Sequence, residues 1–259
     1  MRIRVWVIVF VFALGLGWLA QSSESCLYCY NGIPFSEEHP VLVLGNSAYS
    51  VGYSDTRRNP LWVCYHVFAV DDPPSYDQPP YFRIDERTRS EVRHDEYTNS
   101  GYDRGQMAPG ATIAGRYGEE AQLETFLMSN VCPQTPALNR GVWKELEGLV
   151  REWAYAYEEI WVITGPIFDE DVETLDSGVE IPDAFFKIVI DEVDGKPRAM
   201  SFVIPQDPGP HPALVVYLVS VNMVELLTGF DFFWALDDGF EATMEAKTPV
   251  ELWLTVPPE

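Results

Sequence analysis

The sequence is poor in basic side chains: it has four Lys, and 17 Lys and Arg together stand against 40 Asp and Glu in 259 residues. The formal net charge of −23 repels a polyanion such as DNA at long range. Composition taken alone therefore argues against nucleic-acid binding, although a local basic site can act inside an acidic surface. One hypothesis that this charge supports is an acidic interaction protein that binds no nucleic acid.

The sequence also lacks internal repeats and long hydrophobic runs. No segment recurs with a period of about 20–50 residues, which excludes solenoids and propellers. The 47% of hydrophobic residues exclude disorder over the whole chain and are enough for a substantial core. The apolar run Val5–Ala20 is shorter than the roughly 20 residues that a membrane-spanning helix needs.

The first 22 residues have the pattern of a secretory signal peptide. Arg2 and Arg4 precede the apolar run, and Ala20-Gln21-Ser22 supplies small residues before a cleavage site. An uncleaved N-terminal anchor is the alternative. We therefore predict a signal peptide over 1–22, a tail over 23–40 and a single domain over 41–259. The protein would be secreted or periplasmic, with no membrane association after cleavage.

Cysteine is scarce, and the sequence does not decide how its four cysteines pair. Export permits disulfides, and four cysteines allow three pairings. The first two form a Cys-x-x-Cys motif close to Gly32 and Pro34, outside the strand–helix context of a thioredoxin motif, which favours a structural disulfide or plain thiols. The oligomeric state is also left open. The four cysteines are Cys26, Cys29, Cys64 and Cys132.

Hydrophobic periodicity predicts an α+β fold. Five apolar segments are predicted as strands: Ala48–Ser54, Leu61–Val70, Ile160–Thr164, Phe185–Ile190 and Arg198–Ile204. Helical spacing predicts a helix from Val142 to Tyr157 and a second over Ser220–Thr228, while 71–100 reads mostly as loop. A run of strands with few inserted helices favours a mostly antiparallel central sheet flanked by helices.

Two polar segments carry the candidate chemistry, Ser100–Pro109 and Met128–Glu147. Taken singly, the first is typical of a glycine-containing turn and the second of a polar loop with Asn139 capping a helix. Taken together, and in this order along the chain, the two segments resemble the DNA/RNA non-specific endonuclease family. This family is the sugar-non-specific branch of the ββα-metal nucleases. The matching motifs are Asp103-Arg104-Gly105-Gln106 with Pro109, Ser129-Asn130, Pro133-Gln134, Leu138-Asn139, Trp143 and Leu146-Glu147. The resemblance covers about residues 45–235.

The resemblance implies a ββα-metal core and a role for each matching residue. Asn139 would be the direct protein ligand of Mg²⁺ or Mn²⁺, and Glu147 would hold a water ligand of that ion. Asn130 would support the site, and Arg151 would pair with phosphate or with Glu147. DNA and RNA would be the substrates. Three arginines would bind the phosphates of DNA and RNA: Arg104, Arg140 and Arg151. Arg104 would contact the scissile phosphate.

The sequence departs from the family pattern at the general base, where Gln106 replaces histidine. An imidazole accepts a proton at neutral pH and an amide does not, so Gln106 could only orient the attacking water. His94 is a candidate substitute base, but a solvated loop histidine is the simpler interpretation. The favoured hypothesis is a Mg²⁺-dependent endonuclease weakened by Gln106. The alternative is a catalytically silent family member that binds nucleic acid or protein.

Overall fold

A computed structural model describes residues 28–210 and 213–255. Seven strands form an antiparallel sheet in the order β1-β2-β3-β6-β7-β8-β9, and β4 pairs with β5 in a separate two-stranded sheet. The α+β prediction with an antiparallel central sheet is therefore confirmed. The strands are β1 (Leu42–Gly45), β2 (Tyr49–Ser54), β3 (Asn59–Phe68), β4 (Asp103–Gln106), β5 (Val131–Gln134), β6 (Glu159–Ile167), β7 (Ala184–Val193), β8 (Lys196–Pro205) and β9 (Leu218–Val219).

Helices lie on both faces of the large sheet. They are α1 (Gly110–Tyr117), α2 (Glu119–Thr125), α3 (Trp143–Ala156), α4 (Val221–Thr228) and α5 (Asp238–Glu245). The two predicted helices are confirmed as α3 and α4. Ser220 caps α4 by accepting a hydrogen bond from the Met223 amide, and Gly229 ends it in the left-handed conformation that glycine favours. Helices α1, α2 and α5 and strands β4 and β5 were not predicted as separate elements.

Successive side chains of β7 point to opposite faces of the sheet, so the core has two layers. Phe185 and Val189 point to one face, where they pack with the buried side of α3. Phe186 and Ile188 point to the other face, where they pack with residues of α4 and of the segment after it. The candidate active site and the α4–α5 region therefore lie on opposite faces of the sheet.

Residues near the N-terminus pack onto the sheet and its flanking segments. The Tyr30 ring lies 5.2 Å from that of Trp161, and Phe35 forms a backbone bridge with Asp231. The predicted signal peptide and Cys26 lie outside the described residues, so the limit at 22 stays a prediction and the cysteine pairing stays open. The limit at 40 also stays a prediction. Within the described part of the chain, no helix has both the length and the apolar character needed to cross a bilayer.

Candidate active site

Strands β4 and β5 bring the two motif segments into direct contact. They pair antiparallel, with Gly105 opposite Cys132 and Gln106 opposite Val131. A Cβ atom at position 105 would lie 2.1 Å from the Gln134 side-chain oxygen, so glycine leaves room for the buried Gln134 side chain. The chain then continues from β5 through a helical turn, Leu138–Val142, into α3. This β-β-α sequence positions the first motif against the start of the helix.

Asp103 binds the side chains of Asn139 and Arg140, which lie in this helical turn. The Asn139 side-chain amide donates to Asp103 Oδ2 at 3.0 Å, and Arg140 donates through Nε and Nη2 at 2.7 and 2.6 Å. The Arg140 hydrogen bonds lower the pKa of Asp103, which is therefore ionised at neutral pH. With its nitrogen committed to Asp103, Asn139 has its carbonyl oxygen left for a ligand. Arg140 remains largely exposed, at 70% of its side-chain surface.

Both the nitrogen and the oxygen of the Gln106 side-chain amide are hydrogen-bonded. Its Nε2 donates to the Thr125 carbonyl oxygen at 2.8 Å and to Thr125 Oγ1 at 3.1 Å. Its Oε1 accepts a longer hydrogen bond from the Gly110 amide at 3.3 Å. Since the Thr125 carbonyl can only accept, the orientation of the amide is set by its partners. No imidazole or carboxylate is hydrogen-bonded to Gln106 anywhere in the described residues.

Asn130 is fully buried beside Gln106 and bonds only to backbone. Its Oδ1 accepts from the Ala108 amide at 2.8 Å, and its Nδ2 donates to the carbonyls of Ala108 and Thr125, each at 3.0 Å. These bonds join the segment after β4 to the end of α2. Asn130 thus fixes the backbone around Gln106, and its role in the reaction stays a prediction.

Arg104 points toward the short 3-10 helix His94–Tyr97. Its Nε and Nη2 donate to the His94 carbonyl oxygen at 3.0 and 2.5 Å, and Nη2 also reaches Thr98 Oγ1 at 3.2 Å. Burial lowers the pKa of Arg104, and the guanidinium stays charged. The His94 ring accepts through Nδ1 from the Phe82 amide at 3.2 Å. This contact directs one ring nitrogen of His94 to the backbone, and no bond joins the ring to Gln106.

Glu147 and Arg151 follow on α3, without a direct ion pair between them in the described structure. Arg151 Nη1 instead donates to Thr112 Oγ1 at 3.3 Å. Burial raises the pKa of Glu147 to about 7, against the opposing effect of positive charges, of which Lys187 is the largest. Burial thus disfavours the ionised carboxylate, and the nearby cations favour it.

Lys187 is a fully buried cation on the same face as Glu147. Its Nζ lies 4.4 Å from the centre of the Trp143 ring and donates at 3.3 Å to the Tyr65 hydroxyl and at 3.4 Å to Thr164 Oγ1. Burial lowers the pKa of Lys187 to about 8, and the charge of Glu147 opposes this decrease. The two groups stabilise each other's charged forms because neither is fully hydrated.

Comparison with known proteins assigns the chain to a family. The model of the DNA/RNA non-specific endonuclease family matches residues 29–239, most of the chain. The chain belongs to this family. A nuclease from Nostoc sp. is 29% identical over 77% of this chain and 76% of its own length. Human mitochondrial nuclease EXOG is 28% identical over 73% of this chain but only 56% of its own length.

A solved structure of the family has the same fold. It is the crystal structure of the complex of EndoG with EndoGI, whose title describes the mechanism of EndoG inhibition. The aligned chain is 29% identical, with a TM-score of 0.68 over 77% of this chain and 89% of that chain. This similarity supports the ββα-metal interpretation of β4, β5 and α3.

The donor set fits the metal site expected for this family of metal-dependent nucleases. No hydrogen bond to Asn139 Oδ1 occurs among the described residues, and neutral carbonyl oxygens are ligands that Mg²⁺ and Mn²⁺ accept. Asp103 holds the amide from its nitrogen side, as the outer partners of metal ligands commonly do. The residues present are therefore compatible with a hard divalent cation at Asn139.

Two residues of the site have roles that the sequence did not reveal. Asp103 is the first residue of the Asp103–Gln106 motif, but only the fold shows that it binds Asn139 and Arg140. Lys187 lies on β7 between two buried residues of the same face, Phe185 and Val189. The alternation of this strand was a signal in the sequence that a lysine would point into the core.

Proposed function

We propose that this family member is an endonuclease that hydrolyses phosphodiester bonds of DNA and RNA with Mg²⁺ or Mn²⁺ as its cation. The observation that carries the proposal is the contact between Asp103 and Asn139, which leaves the Asn139 carbonyl oxygen for a ligand. The nuclease relatives support the same reaction. A bound cation would supply Lewis-acid stabilisation of the charge that develops on the scissile phosphate.

The protein's own residues would bind and orient the substrate. Arg104, Arg140 and Arg151 provide local positive charge for phosphate groups within an otherwise acidic chain. Arg140 is the most available of them, because its contact with Asp103 leaves 70% of its side chain exposed. Glu147 would accept hydrogen bonds from water near the site while Lys187 favours its ionised form.

Gln106 would orient the attacking water and would not take its proton. Its Oε1 has a second lone pair beyond the one used by the Gly110 amide, so it can accept a hydrogen bond from water. The absence of a general base typically costs about 10²–10⁴ in rate. We therefore expect a slow nuclease in which the proton passes to solvent.

A second candidate function is a catalytically silent protein that binds nucleic acid or a protein partner. The observation that favours it is the amide of Gln106, which is hydrogen-bonded through both its nitrogen and its oxygen. A side chain held in this way contributes more to the local fold than to water activation. Both candidates keep the same fold and the same arginines.

Nicking of a supercoiled plasmid with Mg²⁺ distinguishes the two. The purified mature chain would be compared with Gln106→His and Asn139→Ala. Nicking by wild type that is lost in Asn139→Ala supports the nuclease. An inert wild type with an active Gln106→His supports the silent protein, and three inert but folded proteins contradict the site assignment itself.

We propose further that the protein is secreted or periplasmic. The support is the sequence pattern alone: Arg2 and Arg4, the apolar run and Ala20-Gln21-Ser22. Fractionation of expressing cells, with mass spectrometry of the mature N-terminus, tests this. A mature chain beginning near residue 23 outside the cytoplasm supports the proposal, whereas an intact N-terminus in the cytoplasm contradicts it.

A further inference from the structure

Three carboxylates meet on the face of the sheet opposite the candidate active site. Glu225 lies on α4, Asp231 lies in the turn that follows, and Glu245 is the last residue of α5. One oxygen from each residue lies within 4.8 Å of those of the other two. Two consecutive helices and the segment between them thus present hard oxygen ligands to one small volume.

Glu245 gives this cluster an unsatisfied buried atom. The residue is only 7% exposed, and its Oε1 is buried without a hydrogen-bond partner in the described part of the chain. In contrast, Glu225 Oε1 accepts from the Phe232 amide at 3.1 Å. Asp231 is exposed, so the cluster is open to solvent on its side. The Glu245 side chain is also hydrogen-bonded to Glu225. A buried carboxylate oxygen that still lacks a partner is costly, and a bound ion or water would satisfy it.

No basic side chain of the described residues forms an ion pair with these three groups within 4.0 Å. The charged groups that act on Glu245 are Glu225 and Glu241 from the two helices and Asp231 from the turn, all of them acidic. Glu37 also lines the adjoining surface cavity with Glu225 and Asp231. The negative charge therefore requires either a bound cation or a proton.

We infer that Glu225, Asp231 and Glu245 bind a divalent cation. Ca²⁺ is the ion that fits these three carboxylates best. Ca²⁺ takes six to eight oxygen ligands in irregular geometry and accepts several carboxylates, whereas Mg²⁺ demands a near-ideal octahedron. The ion would connect α4, the following turn and the end of α5. This site would stabilise the fold and would be separate from the cation at Asn139.

A shared proton is the alternative occupant of the cluster. Burial, followed by the neighbouring carboxylates, raises the pKa of Glu245 to about 8. A raised carboxyl pKa means that protonation stabilises the fold, and this stability is lost as pH rises toward 8. A bound cation removes that loss because it stabilises the ionised form.

Calorimetric titration with Ca²⁺ tests the inference. The Asn139→Ala variant would serve as the parent, so that the catalytic cation does not contribute, and Glu245→Gln would be added to it. Glutamine keeps the volume and removes a repulsive charge, so the fold is retained. The exposed Glu120→Gln is the matched control for the loss of one negative charge.

We expect the parent and the Glu120→Gln control to bind one Ca²⁺, and Glu245→Gln to weaken that binding by about tenfold or more. Thermal unfolding at pH 8 is the second readout: Ca²⁺ should raise the Tm of the Asn139→Ala parent over that in EDTA, and adding Glu225→Gln should abolish the increase. No Ca²⁺ binding by the parent, or equal binding in Glu245→Gln, would overturn the inference and assign a proton to the cluster.

Discussion

Gln106 and Asn130 donate hydrogen bonds to the same acceptor, the Thr125 carbonyl oxygen, at 2.8 and 3.0 Å. The shared oxygen joins the residue at the general-base position to the buried asparagine behind it. Because Asn130 also binds both backbone groups of Ala108, the segment after β4 cannot shift without breaking this network. The position of Gln106 is therefore rigid, and its chemistry depends on the side chain that occupies it.

Replacing Gln106 by histidine should raise the nicking rate by about 10²-fold or more, because an imidazole can take the proton of the attacking water. The pH–rate profile should gain an acidic limb near pH 6.5, the ordinary pKa of histidine. Wild type should lack this histidine contribution and keep only the acidic limb that Glu147 causes. Gln106→Ala is the control: a rate like that of wild type would mean that Gln106 does not orient water.

Asp103→Asn should lower the affinity for Mg²⁺ by about 10–100-fold, the usual effect of losing an outer partner of a metal ligand. An amide cannot bind Asn139 and Arg140 as the carboxylate does. The Mg²⁺ dependence of plasmid nicking measures this. Arg140→Ala removes the arginine and retains the contact with Asn139, so it should weaken DNA binding more than Mg²⁺ binding. Equal Mg²⁺ dependence in Asp103→Asn and wild type would contradict this role.

Lys187→Met should shift the acidic limb of activity to higher pH. The lysine opposes the burial that raises the pKa of Glu147 to about 7, so its loss raises that pKa further. Glu147 would then be neutral over more of the pH range, and we expect a shift of about one pH unit. Lys187→Arg keeps the charge and should restore much of the profile, and an unchanged profile in Lys187→Met would exclude the coupling. These variants would be measured in the Gln106→His background.

Asn130→Ala should destabilise the fold by about 2–4 kcal/mol, because three buried hydrogen bonds to backbone are lost together. Urea denaturation followed by fluorescence measures this. The exposed Asn222→Ala on α4 is the matched control and should change stability little. Unchanged stability in Asn130→Ala would contradict this structural role.

Much of the fold and of the site chemistry could be predicted from the sequence. Apolar alternation identified strands such as β7 and β8, and helical spacing identified α3, because these patterns reflect local burial. The sequence predicts turn and loop at the paired strands β4 and β5 because each strand has only four residues. Its strands are defined by pairing with each other, which a local pattern does not contain.

The sequence by itself determined the order of the motifs, the acidic charge and the presence of Gln106 where a histidine was expected. Tertiary structure alone decided that Asp103 holds Asn139, that Lys187 lies near enough to Glu147 for their charges to interact, and that Glu225, Asp231 and Glu245 meet. The physical reason is that pKa values, ion pairs and ligand sets depend on distance and burial. Both depend on the packing of segments that are remote in sequence.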